Sequence, residues 1–368
     1  MENTVFRKRI DLLRGIISDR EYDSLLISGC DNFAWLTLGG RNYVTLNSTS
    51  GVCSLLITED STVLIVDNIE RDRILNEELS EEIVSEIEVF TFNWFDDLKR
   101  VLESEFGSLS LGSDTGRVGK LIPPEVFTQL RLTLCWEEIE TYRIIGAICD
   151  SVLHQEMLGL LPDHTEISVQ ARIAGALIEK GIEPVLVLVF GEESAMKYRH
   201  NLPRDVSIGR RVFVSICARK KGLIASASRS VFFSPDQRYR ELHEKVAEID
   251  ATAIASSSPG RDIRQVFEQI KLAYAKAGYP DEWKKHHQGG LAGYNARELF
   301  GNECSSYSLR SGNVIAWNPT ITGVKSEDTA VITENGVEII TFPEKSLWPE
   351  LDYALDEAVI RRPDVVII

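Results

Sequence analysis

Two adjacent histidines followed by glycines form the stretch of this chain best suited to chemistry. The stretch spans residues 283–298 and reads WKKHHQGGLAGYNARE. Paired imidazoles can transfer protons near neutral pH, and flexible glycine backbone beside them can grip an anionic ligand. The same letters also fit a glycine-rich turn between two strands whose histidines face solvent. The stretch therefore predicts either a reactive site or a turn, and the other segments of the chain are needed to distinguish the two.

The elements that position this stretch follow from hydrophobic periodicity. Up to residue 134, short apolar runs alternate with helical patterns, which predicts an α/β domain with a mixed or parallel sheet. Beyond it, a helical pattern begins at Glu137, and a capping box of Asp163 and Glu166 predicts the next helix. Apolar strand-like runs follow, with an Asn-Gly turn at 335–336, and residues 349–359 are typical of a closing helix. The fold expected for residues 135–368 is α+β.

Composition excludes several classes of function. A formal charge of −16 argues against a nucleic-acid partner, since phosphate binding needs a basic face. No apolar run reaches the ~18 residues of a membrane span, so no membrane partner is expected. The six cysteines show no CxxC pair and no zinc-type spacing, which favours reduced thiols in a cytoplasmic protein. Cys217 is either a nucleophile or, as most strand cysteines are, a packed core residue.

Seven segments, in order along the chain, carry a resemblance to a known family. They are residues 9–38, the segment around His200, residues 215–230 (SICARKKGLIASASRS), the helix after 259–260, residues 286–298, residues 316–323 (AWNPTITG) and residues 326–341 (SEDTAVITENGVEIIT). The chain resembles the pita-bread family of methionine aminopeptidase, aminopeptidase P, prolidase and creatinase. The resemblance implies a C-terminal pita-bread (creatinase/aminopeptidase) domain, residues 135–368, preceded by a smaller α/β creatinase-type N-terminal domain, residues 1–134. It also implies a homodimer.

The resemblance further implies a dinuclear metal site of two Asp, one His and two Glu, and here the chain departs from it. The two Asp positions hold Ser215 and Ser226. The His position falls on Gly290 and the first Glu position on Asn318, so that only Glu327 keeps its carboxylate. One carboxylate with neutral Ser and Asn cannot balance two divalent cations. We therefore expect no metal, and no other cofactor, at these positions.

Creatinase, the member of the family that works without metal, is the closer comparison around one histidine. Its general-base His lies in an Ala-His-Asn-Pro segment, which His200 and Asn201 match here. An imidazole can take a proton from water and return it to a leaving nitrogen, so His200 is the leading catalytic candidate, with Glu327 and His287 beside it. The two partner carboxylates of creatinase fall on Ser228 and Asn318, which argues against creatine as the substrate.

The other polar groups predict a pocket for an anion. Where relatives carry acids, this chain carries cations and neutral groups, and such a cavity suits a carboxylate or a phosphate. The substrate-binding candidates are Arg199, Arg229, His286, Arg297 and Asn318. Successive side chains on a strand point to opposite faces, so only one of the adjacent histidines is expected in the pocket, and we favour His287 over His286.

Three functions stay open at this point, and so does the question of whether the chain is an enzyme. The first is metal-independent hydrolysis of a C–N bond of amide or amidine type in a small, carboxylate-bearing substrate, with His200 as general base. The second is a catalytically inactive pseudo-peptidase that binds a peptide or small acid. The third is an Xaa-Pro dipeptidase or aminopeptidase, which overall similarity favours and the missing metal ligands disfavour. All three imply a small-molecule or short-peptide partner.

Overall fold

The computed structural model of the chain describes residues 2–20, 22–107, 110–355 and 358–368. The chain divides into two compact units, Met1–Arg131 and Leu132–Ile368, where the sequence suggested a boundary between residues 134 and 135. Within the described ranges, no helix combines the length and the apolar character needed to cross a membrane.

The first unit is built on a six-stranded sheet in the order β4-β3-β2-β1-β5-β6. Its elements are α1 (Glu2–Arg20), β1 (Ser24–Gly29), α2 (Cys30–Leu36), β2 (Ser50–Thr58), β3 (Thr62–Asp67), α3 (Arg71–Arg73) continued by a π-helical turn (Ile74–Glu78), α4 (Glu81–Val84), β4 (Glu88–Phe92), α5 (Leu98–Phe106), β5 (Leu111–Ser113), β6 (Lys120–Leu121) and α6 (Pro124–Arg131). The β1–β2 and β2–β3 pairs are antiparallel, whereas β1–β5, β3–β4 and β5–β6 are parallel. The sheet is therefore mixed.

The second unit is built on a nine-stranded sheet whose main path runs β11-β10-β12-β15-β9-β8-β7, with β16 beside β15 and β19 beside β9. Its elements are α7 (Trp136–Leu158), α8 (Glu166–Glu179), β7 (Glu183–Gly191), α9 (Ser194–Lys197), β8 (Arg211–Lys220), β9 (Leu223–Phe232), α10 (Gln237–Ala255), α11 (Ile263–Lys276), a 3₁₀ turn (Glu282–Lys285), β10 (Gly289–Ala292), β11 (Leu299–Phe300), β12 (Val314–Trp317), β13 (Thr320–Ile321), β14 (Val324–Lys325), β15 (Asp328–Thr333), β16 (Gly336–Ile339), β17 (Glu350–Leu355), β18 (Ala358–Pro363) and β19 (Val366–Ile367). Helices pack on this sheet, as expected of the pita-bread fold.

The β8–β9 hairpin sets the floor of the candidate site. Its turn places Lys221 and Gly222 at φ +50° and +79°, a backbone that suits the right-handed twist of the flanking strands. The resulting register pairs Ser215 with Ser228 and Cys217 with Ser226. Cross-strand partners share a face of the sheet, so these four side chains all lie on one face.

Three local predictions meet different outcomes. A hairpin is confirmed at the Asn-Gly signal, but its turn lies one residue earlier than predicted: β15 and β16 pair up to Thr333 and Gly336, so residues 334 and 335 form the turn. The capping box at the start of α8 is wrong: Thr165 is the N-cap, and its hydroxyl accepts from the Ser168 N–H at 3.2 Å. The closing helix is also wrong, because residues 350–355 alternate between exposed and half-buried, the period of a strand, and pair with residues 358–363. Residues 356 and 357 of that segment lie outside the described residues.

Candidate functional site

His200 lies in the loop after α9, and hydrogen bonds on both sides of it fix the loop. The buried Asn201 side chain donates to the carbonyl of Val189 on β7 at 2.6 Å. The Arg199 guanidinium binds the carboxylate of Glu282 and the hydroxyl of Thr322, the latter at 2.7 Å. Since Glu282 belongs to the 3₁₀ turn before His286, this contact ties the His200 loop to the segment that carries the other two histidines.

The 3₁₀ turn at residues 282–285 places His286 beside the His200 loop. The turn ends at Lys285, and the next residue, His286, has extended backbone with φ −155° and ψ 147°. The Gln288 side chain donates to the carbonyls of Trp283 and His286, at 3.1 and 2.6 Å. The strand β10 begins only at Gly289, so the histidines precede the sheet and do not follow its alternation.

Three histidines converge as a result, and we call His200, His286 and His287 the imidazole cluster. The Nε2 atoms of His200 and His286 are 3.1 Å apart, within hydrogen-bonding distance. The rings of His286 and His287 stack at 4.4 Å between centroids, and Phe300 packs edge-to-face against His287 at 5.0 Å. His286 is buried, whereas His200 and His287 are exposed at the rim. One side of the cluster is therefore buried, and the other is accessible to solvent.

The surroundings keep all three rings uncharged at neutral pH. Burial, reinforced by the positive charge of Lys325, lowers the pKa of His286 to about 2. Burial and the guanidinium of Arg297 lower the pKa of His287 to about 4. The pKa of His200 is also lowered, by burial and then by Lys325. Each ring therefore offers a lone pair on one nitrogen.

A second group, the Glu327 cluster, consists of Glu327, Arg297, Lys325 and Ser228. Glu327 is buried and accepts from Arg297 at 2.7 Å, from Lys325 at 2.8 Å and from the Ser228 hydroxyl at 3.0 Å. Burial raises the pKa of its carboxyl, but Lys325 and Arg297 outweigh burial and bring it down to about 2. Glu327 therefore stays ionised between two cations whose side chains are each only 8% exposed.

Neutral groups surround this cluster at the other positions that the family resemblance assigns to metal ligands. The hydroxyls of Ser215 and Ser228 are 2.7 Å apart, and Arg297 donates to the Ser226 hydroxyl at 3.3 Å. The buried Asn318 side chain keeps its Oδ1 without a partner among the described residues. Cys217 contacts the Ser226 hydroxyl at 3.4 Å, and burial raises the pKa of its thiol, so it is no thiolate nucleophile.

The structure removes two arginines from the expected pocket. Arg229 follows Ser228 on β9 and points to the opposite face, where Asp328 binds it at 3.0 Å and the Thr341 carbonyl at 2.6 Å. Its assignment as a substrate-binding residue is wrong, because its fully buried guanidinium is held inside the core. Arg199 is also engaged, by Glu282 and Thr322, and it positions the His200 loop.

Two further expectations change at the glycine-rich stretch. His286, not His287, is the buried member of the pair, because the strand alternation that favoured His287 does not apply before β10. Gly290 has a φ of +150°, and a Cβ there would lie 2.1 Å from the carbonyl oxygen of Leu299. The position compared with the metal-binding His therefore has no room for a side chain.

Lys325 is the site residue that sequence reasoning missed. It lies on the two-residue strand β14 and matches no motif, so that it reads as a surface lysine. One signal was available: Lys325 and Glu327 flank a single serine in the segment carrying the one retained ligand position.

The dinuclear metal site that the family resemblance implies does not fit these residues. Its positions offer hydroxyls, an amide and a glycine without side-chain space, while the one carboxylate is already bound by Arg297 and Lys325. Two protein cations neutralise the charge of the Glu327 carboxylate, which a metal ion would otherwise do. Hard divalent ions need several carboxylate or carbonyl oxygens, which this arrangement lacks.

Comparisons with known proteins place the chain in a family. The chain is 24% identical over 330 residues to the Xaa-Pro dipeptidase of Pyrococcus furiosus, covering 83% of this chain and 91% of that protein. Its fold matches the crystal structure of the prolidase from Pyrococcus horikoshii OT3 with a TM-score of 0.78 and 21% identity, over 92% of this chain and 99% of that one. It also matches the Xaa-Pro dipeptidase from Bacillus anthracis, with a TM-score of 0.76 and 18% identity over 93% and 99% of the two chains. Residues 9–142 match the creatinase/prolidase N-terminal domain, and residues 140–334 match metallopeptidase family M24. The chain belongs to metallopeptidase family M24, with a creatinase/prolidase N-terminal domain before the pita-bread domain.

Proposed function

We propose that the chain hydrolyses a carbon–nitrogen bond in a small substrate that carries a carboxylate, with His200 as the acceptor of the proton from the attacking water. One observation carries this proposal: an uncharged imidazole cluster accompanies a buried cluster in which two cations face one anion. Xaa-Pro dipeptides are the first substrate class to test, because the relatives named above are Xaa-Pro dipeptidases.

His200 suits the role of base by position and by protonation state. Its ring lies at the exposed rim, where a substrate and water can reach it. Its pKa is lowered, so the ring is neutral and can accept a proton at pH 7. The 3.1 Å contact with Nε2 of the buried His286 fixes the orientation of the His200 ring.

The Glu327 cluster supports an anionic substrate. Arg297 and Lys325 contribute two positive charges and Glu327 one negative charge, which leaves a net charge of +1 among buried groups. In addition, the buried Nε of Arg297 has no partner among the described residues. A substrate carboxylate, or the oxyanion that forms during hydrolysis, would be stabilised by the net positive charge and by the hydrogen-bond donor of Arg297.

The reaction balances with these groups alone. The water oxygen bonds to the substrate's carbonyl or amidine carbon while His200 takes the water proton. The C–N bond then breaks, and the imidazolium returns that proton to the leaving nitrogen. The products are an amine and, from an amide, a carboxylic acid. No step uses the family's dinuclear centre, whose ligands the chain lacks.

The test is turnover of Xaa-Pro dipeptides and N-acyl amino acids by the full chain in the presence of a chelator. His200→Ala is expected to lower kcat by roughly 10²–10⁴-fold, the usual contribution of a positioned general base. His164→Gln, which changes a histidine outside the cluster in the turn before α8, is the matched control and should leave kcat unchanged. Equal rates for wild type and His200→Ala would contradict the proposal. Tight dipeptide binding without turnover would favour a binding protein instead.

A further inference from the structure

We infer that the imidazole cluster binds one transition-metal ion of borderline softness, such as Zn²⁺ or Co²⁺. None of its three residues occupies a ligand position of the family's dinuclear site. Metal binding does not depend on the proposed hydrolysis. Only the expected effect of the bound ion on turnover rests on that proposal.

The geometry of the nitrogen atoms is close to that of a coordinated set. One ring nitrogen from each of His200, His286 and His287 lies within 4.8 Å of the other two. The Nε2 atoms of His200 and His286 are 3.1 Å apart. Two nitrogens bound at about 2.0–2.1 Å to a tetrahedral ion lie roughly 3.4 Å from each other. Small rotations of side chains at the exposed rim therefore suffice to place one ion among the three rings.

One buried ring nitrogen of the cluster is available to a ligand. Buried polar atoms are normally paired, yet His286, only 8% exposed, keeps Nδ1 without a partner among the described residues. Gln288 binds the His286 carbonyl, and the Arg199–Glu282 pair joins the two segments that carry the cluster. These contacts fix the backbone segments that carry the rings.

The chemistry of the site selects the class of ion. Three neutral imidazoles suit zinc, cobalt, nickel and copper, whereas magnesium, calcium and manganese prefer carboxylate and carbonyl oxygen. Lys325 and Arg297 disfavour positive charge at the histidines, so binding here requires an ion with a high intrinsic affinity for imidazole. Three protein ligands leave a fourth position for water or an anion, and the nearby cations favour an anion there.

Metal binding and the proposed hydrolysis exclude each other. A bound ion uses the lone pair with which His200 accepts the proton, so a loaded chain loses its base. We therefore expect added Zn²⁺ to inhibit turnover and a chelator to restore it.

The experiment is titration of the chelator-treated full chain with Co²⁺, followed by calorimetry and by the visible absorption of the bound ion. We expect one ion per chain, and His286→Gln or His287→Gln should weaken binding by about 100-fold or more, beyond what loss of an outer-shell contact costs. His287 lies at the rim, so its variant folds even if the buried His286 variant does not. His164→Gln and Cys304→Ser, which remove an outlying histidine and the exposed cysteine, should bind as the wild type does.

The outcomes separate the two proposals. Absence of stoichiometric Co²⁺ binding, or binding that survives both histidine variants, overturns the metal site and leaves the hydrolysis proposal untouched. Binding that stimulates turnover supports the metal site and overturns the role of His200 as the free base. One bound ion together with inhibition supports both.

Discussion

Lys325→Met tests whether the protein's own cations have taken over the charge-balancing role of a metal. The Lys325 ammonium is 2.8 Å from Glu327, and the two side chains are 8% and 4% exposed. Breaking a buried ion pair by removing one partner costs ~3–5 kcal/mol, because the other charge stays buried. Since Arg297 still binds Glu327 at 2.7 Å, we expect a loss of about 3 kcal/mol, the lower end of that range.

The double substitution separates this interaction from general damage. Glu327→Gln alone should cost about 4 kcal/mol, because it leaves Lys325 and Arg297 facing each other without an anion. The variant carrying both Lys325→Met and Glu327→Gln should lose less than the sum of the single losses, by about 2–3 kcal/mol.

The assay is urea unfolding of the full chain at pH 7, followed by tryptophan fluorescence. Four of the six tryptophans, at positions 136, 283, 317 and 348, report on the unit that holds the site. The denaturant dependence must be the same for all variants, so that a shifted midpoint reports stability. Lys197→Met removes the exposed partner of Glu193 and should not move the midpoint. A loss below about 1 kcal/mol for Lys325→Met, typical of a surface pair, would refute the reasoning.

Two further predictions concern the same site. The pKa of Glu327 is about 2 in the folded chain against an ordinary value of 4.5, so the stabilisation by its charge is complete above pH 4.5 and disappears as the pH falls towards 2. The stability difference between wild type and Glu327→Gln should therefore be constant above about pH 5 and shrink below pH 4.5 in chemical unfolding; a constant difference down to pH 2.5 would contradict this assignment. Gly290→Ala should destabilise the chain by ~1–3 kcal/mol or more, since its Cβ would meet the Leu299 carbonyl at 2.1 Å. An unchanged melting temperature for this variant would show that the position can carry a side chain after all.

The fold was predictable because many weak signals agree in order along the chain. The Asn-Gly signal locates the β15–β16 hairpin to within one residue, because turns depend on local sequence. The assignment of family ligand positions to Ser215 and Ser226 depends on the family resemblance, and the register of β8 and β9 places these two side chains on one face of the sheet. Alternation along β9 places Arg229 and Ser228 on opposite faces of the sheet, so Arg229 cannot share the site with Ser228.

The imidazole cluster was not predictable in the same way. His200 and His286 are 86 residues apart in the sequence. The Arg199–Glu282 contact holds their two segments together, and no local sequence pattern predicts it. Strand alternation misassigned His286 and His287 because a 3₁₀ turn, not a strand, carries the chain to them. Lys325 escaped notice because a lysine becomes a buried site residue only through its tertiary partner, Glu327.

We propose that this member of family M24 has replaced the dinuclear metal centre with Arg297, Lys325 and neutral side chains. The most direct test is equilibrium dialysis of the full chain against Mn²⁺, an ion that prefers the carboxylates of the family site to imidazole. Xaa-Pro hydrolysis is measured on the same samples with and without the ion. The account predicts no stoichiometric Mn²⁺ and no stimulation of turnover. Two Mn²⁺ ions per chain with Mn²⁺-dependent cleavage would contradict it.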